Sequence, residues 1–506
     1  MLFYFLEEKI KLKAYLMTAL LDDGEINLDH FKTEYALSEK ILQGLISELQ
    51  ILYSDFYLVV KSRTMVLFHY ETLSKLETLH TIYRESNTLQ FLAYFIAPQN
   101  VSFSEFTAKK FISVASAYRI KKNCKLYLES VKLSIQKNKV TGPEYQIRLL
   151  IALLQYHFGF IIYPFDATSE VMIRDFIEYS NFKGCDYDLK DLSEEYYYFY
   201  ILVNLVWKRK EYKVEIPQTE SFNQLKKSIL YMELSKAAQK SIAIHLGIEL
   251  NEGLLDYLYL VFCISDGPLF SNRDDININE EFIFASYASY KISKSKAFKN
   301  FCGRLLGREF IDSQHFKDIN AYFLRHFICY CYYFIPDFYF LNTSRLSYSK
   351  DLYHLLDKGL ADIFNLKGGN LTFSKHETVL LTMQLSNLIE TFLAPLSVYV
   401  ISSSNIRLQT YQVMLNQYFT SKIAEFFFVN YQTTQIDEKL LKKADIIIAE
   451  RRYISSLKND SGVAIQDILE IGMNNKQYHE LLLQAIIEKR DQKVFEYISK
   501  MKHKIL

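Results

Sequence analysis

The segment 102–144 constrains the fold of this chain more than any other, because it joins two short helical patterns to a hairpin pattern. Apolar residues recur at helical spacing over 102–111 and again over 114–128, with a break between the two patterns. Ser113 lies where the N-cap of the second helix is expected. Alternating apolar residues and a polar turn over 132–140 predict a strand hairpin. The segment therefore predicts a winged helix-turn-helix.

The second helix of this segment has one apolar face and one polar face. The apolar face, which we expect in the core, carries Ala117, Ile120, Cys124, Tyr127, Leu128 and Val131. The polar face presents hydrogen-bond donors near the N-terminal end of the helix, as a recognition helix in a major groove requires. The candidate DNA-binding residues are Ser116, Tyr118, Arg119, Lys121, Lys122 and Asn123 on this helix, and Lys137 and Lys139 on the wing.

Positive charge is concentrated in the same segment. Between positions 109 and 139 the chain carries nine basic residues and one acidic residue, Glu129, whereas its formal net charge is only +1. A basic stripe on a nearly neutral protein indicates contact with a polyanion at one site. The alternative is a solvated helix face followed by a lysine-rich turn. The helix-turn-helix spacing and the run Ser116-Ala-Tyr-Arg119 favour DNA.

The N-terminal segment repeats this arrangement with less charge. Helical patterns cover 8–21, 28–35 and 39–52, Ser38 is placed as an N-cap, and strand patterns flank a polar turn at 61–64. This order predicts another winged helix-turn-helix. Its expected recognition face, which has little net charge, consists of Glu39, Lys40, Gln43 and Ser47. A structural helical subdomain that barely touches DNA is therefore the alternative.

Length and composition place the chain in a broad class. Its 506 residues suggest about three or four domains, and the scarcity of proline (7) and glycine (15) favours a mainly helical chain. Six cysteines without a CxxC pair or metal-ligand spacing fit a reducing cytoplasm. No apolar run approaches the roughly 18 residues of a membrane span, and a signal peptide is not recognisable. We therefore expect a cytoplasmic protein without membrane contact, metal or cofactor.

Helical bundles and a small α/β unit are expected to follow. Residues 168–393 predict two bundles in series, joined by a polar linker near 266–279. The main expected helices of the bundles are 199–207, 222–234, 254–264, 322–335 and 376–393. The last region has strand patterns at 396–401, 424–429 and 444–449 and helical patterns at 407–418, 438–443, 478–489 and 492–500. This alternation predicts a small parallel α/β sheet.

Several short segments, taken together, match one known family. They are Ser116-Ala-Tyr-Arg119 and the segments 133–140, 145–154, 207–209, 216–219, 224–227 and 255–259. Through them the chain resembles the Mga family, stand-alone transcription regulators of virulence genes in Gram-positive bacteria, and within it the RofA-like branch. The resemblance extends over nearly the whole chain.

The resemblance implies an order of five domains. They are an N-terminal winged helix-turn-helix (1–80), a second one with the main DNA-binding role (81–165), two helical phosphotransferase-regulation-like bundles (166–280 and 281–394) and an EIIB-like α/β domain (395–506). The implied function is sequence-specific control of adhesin, pilus or other virulence genes. The implied partners are double-stranded promoter DNA, a second copy of the chain in a homodimer or larger form, and phosphocarrier proteins of the sugar phosphotransferase system.

Two departures from the family pattern bear on regulation. EIIB components carry a nucleophilic cysteine after their first strand, whereas this chain has Ser402-Ser-Ser-Asn405 there, so we expect self-association rather than phosphoryl transfer. Phosphotransferase-regulation domains are controlled by histidine phosphorylation, and the first bundle has only His245. Among the histidines of the second bundle, His326 and His376 are the candidate regulatory phosphohistidines, because each lies on an expected bundle helix.

Other classes of protein compete with a DNA-binding regulator. An enzyme needs a nucleophile, a base or a metal cluster in a recognisable motif, and the sequence offers none, so no catalytic residue is assigned. An RNA-binding antiterminator also contains phosphotransferase-regulation domains, but it would begin with a small β-rich module. A non-catalytic scaffold of the sugar phosphotransferase system is the remaining alternative.

Overall fold

The fold is given by a computed structural model, which describes most of the chain. The described residues are 2–54, 58–68, 73–98, 102–179, 194–227, 229–264, 293–332, 348–364, 373, 375–419, 423–433, 443–450, 468–470 and 476–505. They are mainly helical, as expected. The chain forms two compact units. The first comprises Met1–Phe298, Asn320–Leu346 and Ile363–His376, and the second comprises Lys299–Ile319, Ser347–Asp362 and Glu377–Leu506.

The first winged-helix domain begins the first unit. Its elements are α1 (Glu8–Asp23), β1 (Glu25–Asn27), α2 (Leu28–Glu34), α3 (Glu39–Leu52), β2 (Leu58–Lys61) and β3 (Thr64–Leu67). The side chains of Asn27 and Ser38 accept backbone N–H bonds and so begin α2 and α3. The three predicted helices and the hairpin are confirmed. Strand β1, which the sequence did not predict, completes a sheet in the order β1-β3-β2.

The second winged-helix domain follows directly. Its elements are α4 (Lys75–Tyr83), α5 (Asn87–Ile96), α6 (Phe103–Lys110), α7 (Val114–Ser130), β4 (Ser134–Gln136), β5 (Lys139–Thr141) and α8 (Glu144–Tyr156). The expected core face of α7 is buried, except that Ile120 is only half-buried. After β5, Gly142 has a φ of 149°, and a Cβ there would lie 2.6 Å from Leu133 Cδ2. Only glycine therefore lets the wing return to α8 without displacing that leucine.

A helical bundle completes the first part of the chain. Its described helices are α9 (Ala167–Tyr179), α10 (Glu194–Lys208), α11 (Glu220–Leu225), α12 (Ile229–Lys240), α13 (Ile242–Leu246) and α14 (Glu252–Ile264). The expected single helix over 222–234 is wrong, because α11 ends before α12 begins. In the turn between them, Lys226 Nζ bonds to Glu252 at 2.5 Å and to Asp256 at 2.9 Å. The helical pattern of the sequence continues through this turn, but the helix itself is interrupted where Lys226 forms ion pairs with α14.

Further helices follow before the sheet. They are α15 (Ser293–Leu306), α16 (Arg308–Ile311), α17 (Gln314–Cys331), α18 (Lys350–Phe364) and α19 (Lys375–Phe392). The helix expected over 322–335 falls on α17, which already starts at Gln314, and the helix expected over 376–393 is α19. The expected linker at 266–279 and the end of the 322–335 helix lie outside the described residues.

The second unit contains the predicted parallel sheet. Its strands are β6 (Leu396–Ser402), β7 (Ala424–Asn430), β8 (Ile446–Ala449) and β9 (Ile468–Glu470), accompanied by α20 (Asn405–Tyr418) and α21 (Lys476–Ile505). All pairings are parallel, in the order β7-β6-β8-β9, and β9 was not predicted. The two final helices expected from the sequence are one continuous helix, because no glycine or proline interrupts it. The expected helix at 438–443 lies almost wholly outside the described residues.

Candidate nucleic-acid interface

Short-range caps fix the helix-turn-helix of the second winged-helix domain. Ser102 and Glu105 form a reciprocal capping box at the start of α6, with both backbone N–H bonds at 3.0 Å. Ser113 Oγ accepts the backbone N–H of Ser116 at 3.1 Å and so begins α7. The sequence predicted this cap, because serine before a helical pattern satisfies a backbone donor that the first turn leaves free.

The turn between α6 and α7 contains an exposed residue in a strained backbone conformation. Phe111 has a φ of 54°, and 97% of its surface is exposed. Residues with a Cβ avoid this left-handed region, and an exposed ring gains no packing energy that would offset the strain. Phe111 was not among the residues predicted to contact DNA, because the only sequence signal at this position is the break in the helical pattern that follows it.

The polar face of α7 carries the predicted base-reading residues. Arg119, Lys122 and Asn123 are exposed, and Ser116 is half-buried. Arg119 Nη2 donates to Ser116 Oγ at 3.2 Å. Because Ser116 is itself bonded to the N-cap, this contact directs the guanidinium toward the N-terminal end of α7, where base edges are read in helix-turn-helix proteins.

Tyr118 and Lys121 have a packing role besides any contact with DNA. The Tyr118 ring lies 5.0 Å from the Phe103 ring of α6, and Lys121 Nζ lies 5.2 Å from the centre of the same ring. Tyr118 is nevertheless 59% exposed. These two residues therefore hold α7 against α6, and they still present part of their surface to solvent.

The wing places the two predicted lysines at its tip. Gln136 pairs with Lys139, so the connecting loop contains only Lys137 and Asn138. Both loop residues have positive φ, 47° and 59°, as a type I′ hairpin turn requires. Lys137 and Lys139 are both exposed. The turn geometry thus brings two positive charges beside the basic face of the same domain.

These positive charges have no counter-charge among the residues that the structure describes. Among the described residues, no carboxylate lies within ion-pair distance of Arg119, Lys122, Lys137 or Lys139, whereas Lys125 Nζ lies 3.6 Å from Glu129. Exposed, unpaired cations on a helix face and an adjacent wing form a positive surface of the kind that binds phosphate backbones. We call Arg119, Lys122, Lys137 and Lys139 the basic cluster.

The corresponding face of the first winged-helix domain is bonded internally. Glu39 Oε2 accepts Lys32 Nζ at 2.7 Å, and this hydrogen bond with the charge of Lys32 lowers the pKa of Glu39. Gln43 Nε2 donates to Glu39 at 3.3 Å, and Ser47 Oγ donates to the Gln43 carbonyl at 2.9 Å. On the wing, Arg63 pairs with Asp29 at 2.8 Å.

Three family models match the chain. The M protein trans-acting positive regulator (MGA) HTH domain matches residues 7–65, the Mga helix-turn-helix domain matches 71–155, and the PRD domain of the same regulator matches 169–388. The chain belongs to the Mga family. It is a DNA-binding transcription regulator with two matched helix-turn-helix regions and a PRD region. No curated protein matches the chain.

A buried charged network joins the two regions matched as Mga helix-turn-helix and PRD. Glu144 on α8 accepts Arg148 Nε at 2.9 Å, and it accepts Arg209, after α10, at 2.7 and 2.8 Å. Arg209 also donates to Tyr163 Oη at 3.0 Å. Burial opposes the charge of Arg209, but Glu144 outweighs it and the pKa of Arg209 is raised. No local sequence pattern indicated Arg209 as the distant partner of Glu144.

The PRD histidines occupy different environments. His326 Nδ1 lies 2.9 Å from the Tyr322 carbonyl, and its ring packs against the Tyr322 ring at a tilt of 34°, with 4.0 Å between centroids. His376 lies in the first turn of α19, but its side chain is outside the described residues. On α13, His245 Nε2 lies 2.6 Å from Asp175 Oδ2 of α9. The sequence did not reveal this last pair, because its members are distant along the chain.

Metal binding and thiol chemistry have little support in the described residues of this Mga-family chain. They contain no group of three or more His, Cys, Asp or Glu side chains that could hold a metal ion. Burial raises the pKa of the Cys124 and Cys302 thiols, which disfavours their thiolate forms. In the part of the chain that the structure describes, no helix is long and apolar enough to cross a membrane.

Proposed function

We propose that this regulator binds promoter DNA mainly through its second winged-helix domain. The observation that carries the proposal is the basic cluster, whose charges have no carboxylate partner among the described residues. The proposed DNA-contacting residues are Ser116, Tyr118, Arg119, Lys121, Lys122, Asn123, Lys137 and Lys139. Arg119 contacts a base or a phosphate, and Lys122 a phosphate. The first winged-helix domain orients the protein on the promoter and contributes less to the affinity for DNA.

Genomic footprinting of the full chain tests the DNA-binding proposal. We expect protection of discrete promoter sites, and a gel shift with promoter duplex but not with the matching RNA. Preferred binding of the RNA would favour an antiterminator, and absence of binding to either would favour a scaffold. The target genes that we propose are adhesin, pilus or other virulence genes of a Gram-positive bacterium, and the proposed mode of action is binding in the cytoplasm, without catalysis.

The wing lysines have a distinct expected signature. Replacing Lys137 and Lys139 with alanine removes two charges that face phosphates, so it should weaken binding to all sequences and reduce the salt slope of the affinity by about 2. Lys236, an exposed lysine paired with Glu233, serves as a control. An unchanged salt slope in the wing variant would assign DNA affinity to other residues.

We further propose the domain order 1–80, 81–165, 166–280, 281–394 and 395–506, with two PRD-like bundles and an EIIB-like final domain of the RofA-like branch. Support comes from the parallel order β7-β6-β8-β9 of the final sheet. At the end of β6, Ser402 Oγ donates to Glu450. Because this hydroxyl is already hydrogen-bonded and the loop that follows has no cysteine, we infer that the final domain makes protein contacts and does not transfer a phosphoryl group.

Self-association through the final domain follows from that role. Two subunits would place two recognition helices on one promoter, so that weak half-site affinities combine. Light scattering should show a homodimer or larger form for the full chain and a smaller one for a chain that ends after Leu393. Equal subunit numbers would exclude the final domain as the association surface.

Histidine phosphorylation is the proposed input, through phosphocarrier proteins of the sugar phosphotransferase system. His326 and His376 are the proposed sites. If His326 Nδ1–H donates to the Tyr322 carbonyl, the lone pair lies on Nε2, which can take the phosphoryl group from a phosphohistidine of the carrier. Mass spectrometry under conditions that preserve phosphohistidine, after incubation with the carrier proteins and phosphoenolpyruvate, should find the modification there. Modification at His245 alone would contradict the assignment.

A further inference from the structure

A cavity of about 760 Å³ lies between the wing of the second winged-helix domain and the segment that follows α10. Its walls are the end of α5, the strand β5 with the start of α8, and the segment from Arg209 to Pro217. Its volume lies within the range of roughly 300–1,000 Å³ that small-molecule sites occupy. The proposed DNA contacts share only Lys139 with the lining of this cavity, and the proposed phosphohistidines share no residue with it.

The cavity has an apolar floor and a charged rim. Phe95, Ile147 and Ile216 are buried residues that contribute to its lining. Lys139 and Lys213 are exposed residues that also line it. Such an arrangement suits a ligand with an apolar body and a polar end, because the body displaces water from the floor while the polar end keeps contact with solvent.

The charge of the buried wall favours a negative ligand. Two guanidinium groups, Arg148 and Arg209, share the single carboxylate of Glu144, and no other described carboxylate contacts either of them. Glu144 and Arg209 line the cavity, and Arg148 stands behind Glu144 on the same helix. Arg148 Nη1 is buried without a hydrogen-bond partner in the described structure. The wall therefore holds one more positive than negative charge in a place where water screens it poorly.

The rim does not cancel this excess. Lys213 Nζ pairs with Glu215 at 2.7 Å, so these two side chains balance each other. Lys139, the remaining charged residue of the lining, is positive and contacts no described carboxylate. The charged side chains that line the cavity therefore carry a net positive charge.

We propose that this cavity binds a small organic anion with an apolar body, held by the positive wall and by Lys139. Binding would also change the position of the wing, since β5 forms one wall. That regulatory consequence rests on the proposed DNA contacts of the wing, whereas binding of the anion does not. A titration without DNA therefore separates failure of this proposal from failure of the DNA-binding proposal.

Two fluorescent probes of equal body and different charge test the proposal. Anilinonaphthalene sulfonate is an aromatic anion, and N-phenylnaphthylamine has the same aromatic body without the sulfonate. We expect the full chain to bind one molecule of the anion with at least about tenfold higher affinity than the neutral probe, as a charge-assisted contact predicts. Equal affinity for the two probes would overturn the assignment of an anion.

Substitutions in the lining locate the bound probe. Ala97→Trp fills the cavity and should abolish binding of the anion, while Ala167→Trp, at an exposed position outside the lining, should leave it unchanged. Lys213→Glu changes the rim charge at an exposed residue and should weaken binding by about threefold to tenfold. Circular dichroism checks that each variant is folded. Unchanged affinity in folded Ala97→Trp, or in Lys213→Glu if the tryptophan variant does not fold, would overturn the proposal.

Discussion

The two winged-helix domains have the same arrangement of helices and wing, but they differ in the ion pairs that their charged side chains form. In both, a serine begins the second helix of the motif, a non-glycine residue takes a left-handed conformation in the preceding turn, and a two-residue loop closes the wing. The first domain pairs Glu39 with Lys32 and Arg63 with Asp29. In the second, the basic cluster has no carboxylate partner among the described residues. This difference supports the proposal that the shared motif is a scaffold and that unpaired surface charge distinguishes the copy that contributes more to DNA affinity.

A buried carboxylate distinguishes the second domain from the first. The last helix of the second domain, α8, begins at Glu144, whose carboxylate is buried between two arginines, whereas Glu39 of the first domain belongs to a solvent-exposed pair. Exposed pairs contribute little to stability, but removing one partner of a buried network leaves a charge uncompensated. The stability of the junction after the second domain therefore depends on a single carboxylate.

The largest expected effect is on this junction. Glu144→Gln keeps the shape of the side chain but leaves Arg148 and Arg209 buried without a counter-charge, so we expect a loss of about 3–5 kcal/mol in the free energy of unfolding. Urea unfolding measures it. Glu39→Gln in the first domain should change stability little. Similar losses in both variants would show that the burial of the pair does not decide its contribution.

The next effect concerns DNA affinity. Arg119→Ala together with Lys122→Ala removes two contacts from the second recognition helix, and we expect promoter binding to weaken by about 100-fold or more. The matched double variant of the first domain, Lys40→Ala with Gln43→Ala, should weaken it by only about threefold. Gel shifts at one salt concentration give both values. A larger loss in the first-domain variant would reverse the proposed division of roles.

How far the sequence predicted these features depended on the distance between the interacting residues. The caps at Ser38 and Ser113 and the charge of the basic cluster were readable, because they depend on residues a few positions apart. The bond from Glu144 to Arg209 spans 65 positions, and the pair His245–Asp175 spans 70, so no local pattern indicated them. Strand β9 was missed for the same reason, since its pairing with β8 is not local.

Acid sensitivity should also distinguish the second domain. Burial lowers the pKa of His157, at the end of α8, to about 3. The unfolded chain, with an ordinary pKa near 6.5, then binds a proton that the folded chain excludes, so stability is lost as pH falls below about 6.5, by about 2 kcal/mol at pH 5. His157→Phe should remove this loss in chemical unfolding at pH 7 and pH 5.

A neighbouring substitution controls for packing. Tyr83 lies 6.0 Å from His157 between ring centroids, and Tyr83→Phe changes no group that titrates between pH 5 and pH 7. It should therefore keep the acid sensitivity of the natural chain. Burial also lowers the pKa of His80, so part of the sensitivity should persist in His157→Phe. An unchanged pH dependence in that variant would show that His157 is not the titrating group.

The smallest expected effect concerns the turns, where the domains are most alike. Ala36 and Phe111 have φ of 50° and 54°, and both are exposed. Replacing either with glycine relieves backbone strain without removing core packing, so each variant should gain roughly 0.5–1 kcal/mol in the free energy of unfolding. Only Phe111→Gly also removes a large exposed ring from the turn that precedes α7. If that ring contacts DNA, Phe111→Gly should lower promoter affinity although it raises stability, and Ala36→Gly should raise stability alone. Thermal unfolding and gel shifts on the same preparations separate the two effects, and equal DNA affinity in both variants would leave the strained phenylalanine without a role in binding.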